Sequence, residues 1–293
     1  MDRLIYLDNA ATTKVKPEVV DAMLPYFTEE FGNPSSVYSF AAKNKTVIER
    51  AREMIAASIN AKPKEIYFTG GGSESDNMAI KGIARAYKDK GRHIITSKIE
   101  HHAVLHSLRA LEKEGYEVTY LDVDEYGVVK LDELKKAIRD DTILITIMFA
   151  NNEIGTIEPV KEIGQIAKEH GILFHTDAVQ AYTQVPIDVK ELNIDLMSAS
   201  GHKINGPKGI GFIYIKSGIN IEPLIDGGAQ ERNRRAGTEN VPAIVGLKKA
   251  AELAIANMEE RIAYESELRD YLIKSIMERI PYTRLNGDRH NRL

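Results

Sequence analysis

The chain has 293 residues, 43% of them hydrophobic and 28% charged, and 39 basic against 43 acidic side chains leave a formal net charge of −4. That length can bury the core of one large domain or two smaller ones, and the charge balance excludes the strongly basic surface of a nucleic-acid or anionic-membrane binder. Cysteine is absent, which excludes disulfides, thiolate metal sites and a cysteine nucleophile within these residues.

No apolar run approaches the ~18–20 residues of a membrane span. The opening "MDRLIYLDNAATT" has a single basic residue and only a short apolar run before Asp8, unlike a signal peptide. The expectation is a cytoplasmic enzyme. Along the chain, short β-branched runs alternate with amphipathic helical stretches. "EIYFT" (Glu65–Thr69) reads as a strand, followed by a glycine-rich turn and a helix to about Tyr87. "HIITS" (His93–Ser97) is the next strand, with a helix from about His101 to Glu114 behind it. "VTYLDV" and "ILITIMF" follow, separated by the helical "LDELKKAIRD". A helix over about Val160–His170 leads into "ILFHTD", then "DLMSAS" and "GIGFIYI". This alternation predicts an α/β fold, a mostly parallel sheet with helices on both faces.

From Asn240, a plausible N-cap, apolar positions recur every three and four residues through "VPAIVGLKKAAELAIANMEERIAYESELRDYLIKSIMERI". One long helix or a broken pair is expected, packed along one face. The chain stops soon after, at "YTRLNGDRHNRL", which reads as premature for so long an apolar face.

Several motifs fall where strands end. In "FTGGGSESDN" (Phe68–Asn77) three glycines and a serine join a strand to a helix start, a place where backbone N–H groups and the helix dipole suit a phosphate. A tight structural turn fits the same residues, because the P-loop lysine and the G-x-G-x-x-G spacing are both missing. Ser73 is placed to cap that helix or to bind the phosphate. Asp177 in "HTDAVQ" closes a strand, as a helix N-cap or as the partner of a protonated ring nitrogen. His102 and His106 are spaced like a metal pair, but Ala103, Val104 and Leu105 between them supply no glutamate and no third ligand is evident. No metal site is expected; one of these histidines could instead lie flat over an aromatic cofactor. "FANNEIGT" puts polar residues after another strand, and "GGAQERNRRAGTEN" (Gly227–Asn240) reads either as a solvated loop or as one that reaches an anion, across a subunit interface if need be. Lys203 in "SASGHKINGPKG" sits in a solvated turn or in a crevice where it does chemistry. Together a phosphate cradle, an acid, a stacking ring and a lysine at strand ends form the set that a lysine-bound cofactor requires.

The blocks "YLDNAATT", "FGNPSS", "FTGGGSESDN", "EHHAVL", "NNEIGT", "HTDAVQ", "SASGHKINGPKGIG" and "RRAGTENV" occur in the order of a known family and span essentially the whole chain. The sequence resembles the cysteine desulfurases of the NifS/IscS type, class V, fold-type-I pyridoxal-phosphate enzymes. The resemblance implies a seven-stranded-type, mostly parallel sheet and pyridoxal 5′-phosphate as cofactor. It further implies an N-terminal segment (residues 1–14) associated with a small domain, a large cofactor-binding domain (15–250) and the start of an incomplete small C-terminal domain (251–293). It assigns Lys203 the covalent bond to the cofactor, Asp177 the ring nitrogen, and His101 a place over the ring with a part in proton transfer. Gln180 would bond the phenolic oxygen, with Asn152 near cofactor and substrate. Gly72, Ser73, Ser200 and His202 would bind the phosphate, and Thr238 would arrive from the neighbouring subunit of a homodimer. The implied reaction converts L-cysteine to L-alanine, with sulfur passed as a persulfide to an iron–sulfur scaffold or a thiolation system.

The family's nucleophilic cysteine, and an arginine that grips the substrate carboxylate, lie in a C-terminal segment not found here. Truncation of a longer protein is therefore expected, against a natural short form or a sulfur acceptor supplied from elsewhere, and the chain as it stands is expected to bind the cofactor with little or no turnover. Tyr38 stands where a histidine is common, and Gly70, Gly72 and Ser73 replace Ser, Ala and Thr; these last keep the backbone donors and the hydroxyl. The alternatives are another class V lyase or aminotransferase that needs no cysteine, and a non-catalytic cofactor-binding or scaffold partner.

Overall fold

The computed structural model describes residues 5–293; the first four residues of the expected N-terminal segment lie outside the described part. Seven strands form one sheet: β1 (Ile66–Thr69), β2 (His93–Ser97), β3 (Glu117–Leu121), β4 (Thr142–Thr146), β5 (Leu173–Asp177), β6 (Leu196–Ser200) and β7 (Gly211–Ile215). Their spatial order is β1-β7-β6-β5-β4-β2-β3. All neighbours run parallel except β7, which is antiparallel to both β6 and β1. The exception follows from chain length. Only residues 201–210 join β6 to β7, too few for the dozen or more that a parallel crossover needs.

The helices are α1 (Pro17–Met23), α2 (Pro25–Thr28), α3 (Ser39–Ser58), α4 (Gly72–Ala86), α5 (His102–Lys113), α6 (Leu131–Ala137), α7 (Val160–Glu169), the distorted single turn α8 (Gln230–Asn233), α9 (Val241–Ala256) and α10 (Met258–Arg279). Side chains alternate across the pleat, so adjacent strand residues feed two separate cores. Ile95, Ile145, Phe174, Met197 and Phe212 pack with α3, α7 and α9 on one face. Ile94, Leu144, Leu196 and Ile213 pack with α4 and α5 on the other. Burial on both faces explains why these strands read as continuous apolar runs rather than alternating ones.

The long C-terminal helix is broken into α9 and α10 at Asn257, and Asn240 does cap α9, its Oδ1 accepting the Ala243 N–H at 3.2 Å. Helix α10 buries no residue and exposes Tyr264, Leu268, Tyr271, Leu272, Ile276 and Met277. The last residues fold back onto the loop after β4, with the Leu293 N–H donating to Gly155 O at 2.9 Å and the Ile157 N–H to Asn291 O at 3.1 Å. Strand β4 is shorter than the run "ILITIMF": the backbone bends after Thr146, although the N–H groups of Ile147 and Phe149 still reach His175 O and Asp177 O on β5. Among the described residues no helix is long and apolar enough to cross a membrane.

Candidate active site

A cavity of about 730 Å³ opens at the carboxyl ends of β5 and β6 and the N-terminus of α4, the edge where α/β sheets place ligands. Its rim comes from the turn between β1 and α4. Gly71 adopts φ +143°, a conformation open to glycine, and turns the chain so that α4 begins at Gly72. The N–H groups of Gly72, Ser73 and Glu74 then have no acceptor within the helix, and the dipole adds positive potential there. Ser73 is not the cap. Gly71 holds that position with no side-chain bond, and Ser73 lines the cavity. The serine that ties the turn together is Ser75, whose hydroxyl meets Thr69 Oγ1 at 2.8 Å and Phe212 O at 3.1 Å.

Across the cavity, Ser200 ends β6 and a short 3-10 turn, Gly201–Lys203, presents His202 and Lys203. His202 Nδ1 lies 3.1 Å from Thr12 Oγ1. Lys203 Nζ donates to Ala10 O and, at 3.1 Å, to Ala11 O. Burial pulls the lysine below its ordinary pKa, although Asp177, Asp8 and Glu153 oppose that pull. Burial, then the charges of Lys203 and Lys208, likewise lower His202.

Asp177 lies at the floor with 5% of its surface exposed. Its Oδ1 accepts the Val179 N–H at 2.9 Å, but that bond closes a turn and no helix follows β5, so Asp177 is not a helix N-cap; it lines the cavity. Burial raises its pKa, countered by that N–H and, when they are protonated, by His101 and Lys203. His101 is the N-cap of α5, with Nδ1 accepting the Ala103 N–H at 3.1 Å. The ring proton therefore belongs on Nε2. Gln180 Nε2 donates to Ala10 O at 3.0 Å, and Asn152 Nδ2 to Glu153 Oε1 at 2.7 Å; both side chains line the cavity.

The whole described chain, residues 5–293, matches the family model "Aminotransferase class-V". The chain belongs to the class-V aminotransferases. Within that family it is similar to the cysteine desulfurase IscS of Methanosarcina thermophila, 63% identical over all of this chain and 72% of the relative. It is also similar to the cysteine desulfurase IscS of Clostridium botulinum, 60% identical over 98% of this chain and 72% of the relative. Among solved structures, a NifS-like protein superposes with a TM-score of 0.92 at 42% identity, covering 94% of this chain and 76% of that one. SspA in complex with cysteine superposes at 0.83 with 44% identity, covering 89% and 78%.

Nine of the residues singled out in the sequence of this class-V chain, namely Gly72, Ser73, His101, Asn152, Asp177, Gln180, Ser200, His202 and Lys203, line the one cavity. Thr238 does not; it lines a separate depression of about 180 Å³ that shares Gly70 and Gly209 with the main cavity. The loop Gly227–Asn240 is not a solvated loop throughout. Glu231 is buried and holds Arg52 through two 2.8 Å contacts, and Arg235 bonds Glu74 at 2.7 Å beside the glycine turn. His102 and His106 are exposed, with ring centroids 5.2 Å apart. Tyr38 is 54% exposed at the N-cap of α3 and makes no capping bond.

Among the lining residues that had no stated role in the sequence reading are the charged Asp8, Glu74, Asp76, Glu153 and Lys208. All of them lay in quoted blocks, Asp8 in "YLDNAATT", Glu74 and Asp76 in "FTGGGSESDN", Glu153 in "NNEIGT" and Lys208 in "SASGHKINGPKGIG", but only folding brings the first three of these blocks to Lys203. Asp76 sits in an amphipathic helix where a carboxylate reads as solvent-facing.

Proposed function

We propose that this chain is the cofactor-binding body of a cysteine desulfurase, holding pyridoxal 5′-phosphate and taking L-cysteine to L-alanine with release of sulfur. The observation that carries the reading is a lysine of lowered basicity facing a buried carboxylate across a cavity rimmed by unpaired helix amides. These residues fit the cofactor group by group. The amides of Gly72 and Ser73, with Ser200 and His202, would hold the phosphate, Asp177 the ring nitrogen, Gln180 the phenolic oxygen and Lys203 the aldehyde carbon. When bound, pyridoxal phosphate supplies an electron sink for the substrate's α-carbon.

The protein's part is positioning and proton control. Burial favours the neutral amine of Lys203, the form able to make the covalent link. Asp177, as a carboxylate, keeps a proton on the ring nitrogen and so maintains the sink. His101 covers one side of the cavity with its proton on Nε2, placed to give that proton to substrate or take it back. Asn152 and Glu153 lie on the substrate side of the rim.

None of the 293 residues is a cysteine, so a thiol outside them must accept the sulfur and pass it to an iron–sulfur scaffold or thiolation carrier. We read residues 15–250 as the large cofactor domain, and 1–14 with 251–293 as parts of a smaller one. A cytoplasmic homodimer is the working assembly. The exposed apolar side chains Leu24, Phe27, Phe31 and Val37 near the N-terminus support it, and in it Thr238 of each chain serves the other's phosphate.

The test is spectroscopic and chemical. The chain should acquire a visible absorption band with pyridoxal phosphate that Lys203→Ala abolishes, and should release little or no sulfide from cysteine without an added thiol. Robust thiol-independent sulfide release would refute the reading. A keto acid rather than alanine as product would favour an aminotransferase.

A further inference from the structure

A second carboxylate lies beside Asp177 in the cavity lining. Asp76, on the buried face of α4, is 1% exposed, and its Oδ1 has no hydrogen-bond partner among the described residues. Ligand atoms of Asp76, Asp177 and His101 all lie within 4.8 Å of one another. Two carboxylates that close, out of water, do not both ionise cheaply.

The groups facing the pair decide which one keeps the proton. From β5, His175 Nε2 lies 3.8 Å from Asp76 Oδ1, but it offers no charge. Its Nδ1 meets Thr146 Oγ1 at 2.8 Å and its Nε2 meets Ser198 Oγ of β6 at 3.0 Å, and complete burial drives its pKa down to about 3. Ahead of α5, Glu100 adds only further negative potential when ionised. Compensation falls mainly on Asp177, through the Val179 N–H and, when they are protonated, His101 and Lys203, whereas Asp76 has only the Ser198 hydroxyl to favour its anion. Burial, then the Asp177 charge, push Asp76 well above the usual carboxylate range.

We propose that Asp76 is a positioning residue that stays a neutral carboxylic acid, leaving Asp177 as the ionised member of the pair facing the cofactor's ring nitrogen. The proton also relieves an otherwise orphaned anionic oxygen. The inference rests on the reading of Asp177 as the ring partner, and its test is arranged so that the two fail separately.

Infrared spectra of the chain, with and without pyridoxal phosphate at neutral pH, should contain a protonated-carboxyl carbonyl band that disappears in Asp76→Asn. Subtraction of the variant removes the contribution of other buried acids such as Glu100. In the loaded protein, Asp76→Asn, neutral at every pH, should move the pH midpoint of the visible band by less than twofold in proton affinity and leave cofactor retention within about twofold. Asp76→Ala, which removes the carboxyl beside Asp177, should weaken retention about tenfold. If Asp76 is instead ionised, the infrared band is missing from the wild type and Asp76→Asn shifts the midpoint by about tenfold or more; either result overturns the inference, as does full retention in Asp76→Ala. Should the variants not fold, carboxyl-13C aspartate labelling of the wild type, read by NMR, must show one neutral aspartate at neutral pH. Failure of the wild type to bind pyridoxal phosphate would refute the proposed function instead, and binding without a neutral aspartate would refute only this inference.

Discussion

Replacing Glu231 by alanine should unfold the scaffold early and loosen the phosphate rim with it. The Glu231 carboxylate accepts Arg52 Nη1 and Nη2 at 2.8 Å each and the Phe68 N–H at 2.9 Å, with both side chains of the ion pair at least 95% buried. Alanine strands the guanidinium, which keeps Ile66 O at 2.6 Å and the half-exposed Glu49, and it orphans a strand amide two residues before Gly70. Removing one partner of a buried pair costs about 3–5 kcal/mol. At roughly 2–4 °C per kcal/mol for a domain of this size, the midpoint should fall by about 10 °C. Thermal unfolding followed by circular dichroism or calorimetry gives the number. The double variant Arg52→Met/Glu231→Leu should recover much of the loss, because an apolar pair removes the stranded charge. A drop of less than about 2 °C in Glu231→Ala would refute the claim that this buried pair holds the loop to β1.

Asp177→Asn should leave the fold intact and weaken retention of pyridoxal phosphate by about ten- to a hundredfold, the worth of one charge-assisted hydrogen bond in a buried site; fluorescence or absorbance titration checks it, and unchanged affinity would contradict the ring-nitrogen role. Glu100 is lifted by burial from 4.5 to about 8, so its favourable contribution is complete below about pH 4.5 and is lost as pH rises through 8. Stability should therefore decline between pH 5 and 8.5 by a few kcal/mol at most on this account, and Glu100→Gln should flatten that slope in denaturant titrations. Gly71→Ala forces a side chain onto φ +143° and should cost about 1–3 kcal/mol together with a loss of phosphate affinity, measured with the cofactor against its dephosphorylated form.

Much of the fold was legible because its cause is local. Strands buried on both faces are continuous apolar runs, and the runs ending at Ser97, Asp177 and Ser200 could be placed to within a residue or two. The antiparallel turn of β7 was not read, although the ten residues between β6 and β7 contain the reason. The site divides along the same line. Lys203, Asp177 and His101 announce themselves as polar residues abutting apolar runs or glycines. Asp76 does not, because its burial comes from the pairing of α4 with strands far along the chain. Glu231 was hidden inside a polar loop whose composition speaks for solvent, while its actual partner, Arg52, lies on α3. Ser73 reads by residue type as a cap or a phosphate ligand, and the backbone gives the cap position to Gly71.

The central claim is that Lys203, and no other lysine, anchors the cofactor. Borohydride reduction of the pyridoxal-phosphate-loaded chain, followed by peptide mapping, should place the pyridoxyl group on the peptide containing Lys203 and on no peptide of Lys203→Ala. Label on Lys208, which lines the same cavity, or retention of label in the variant, would contradict it.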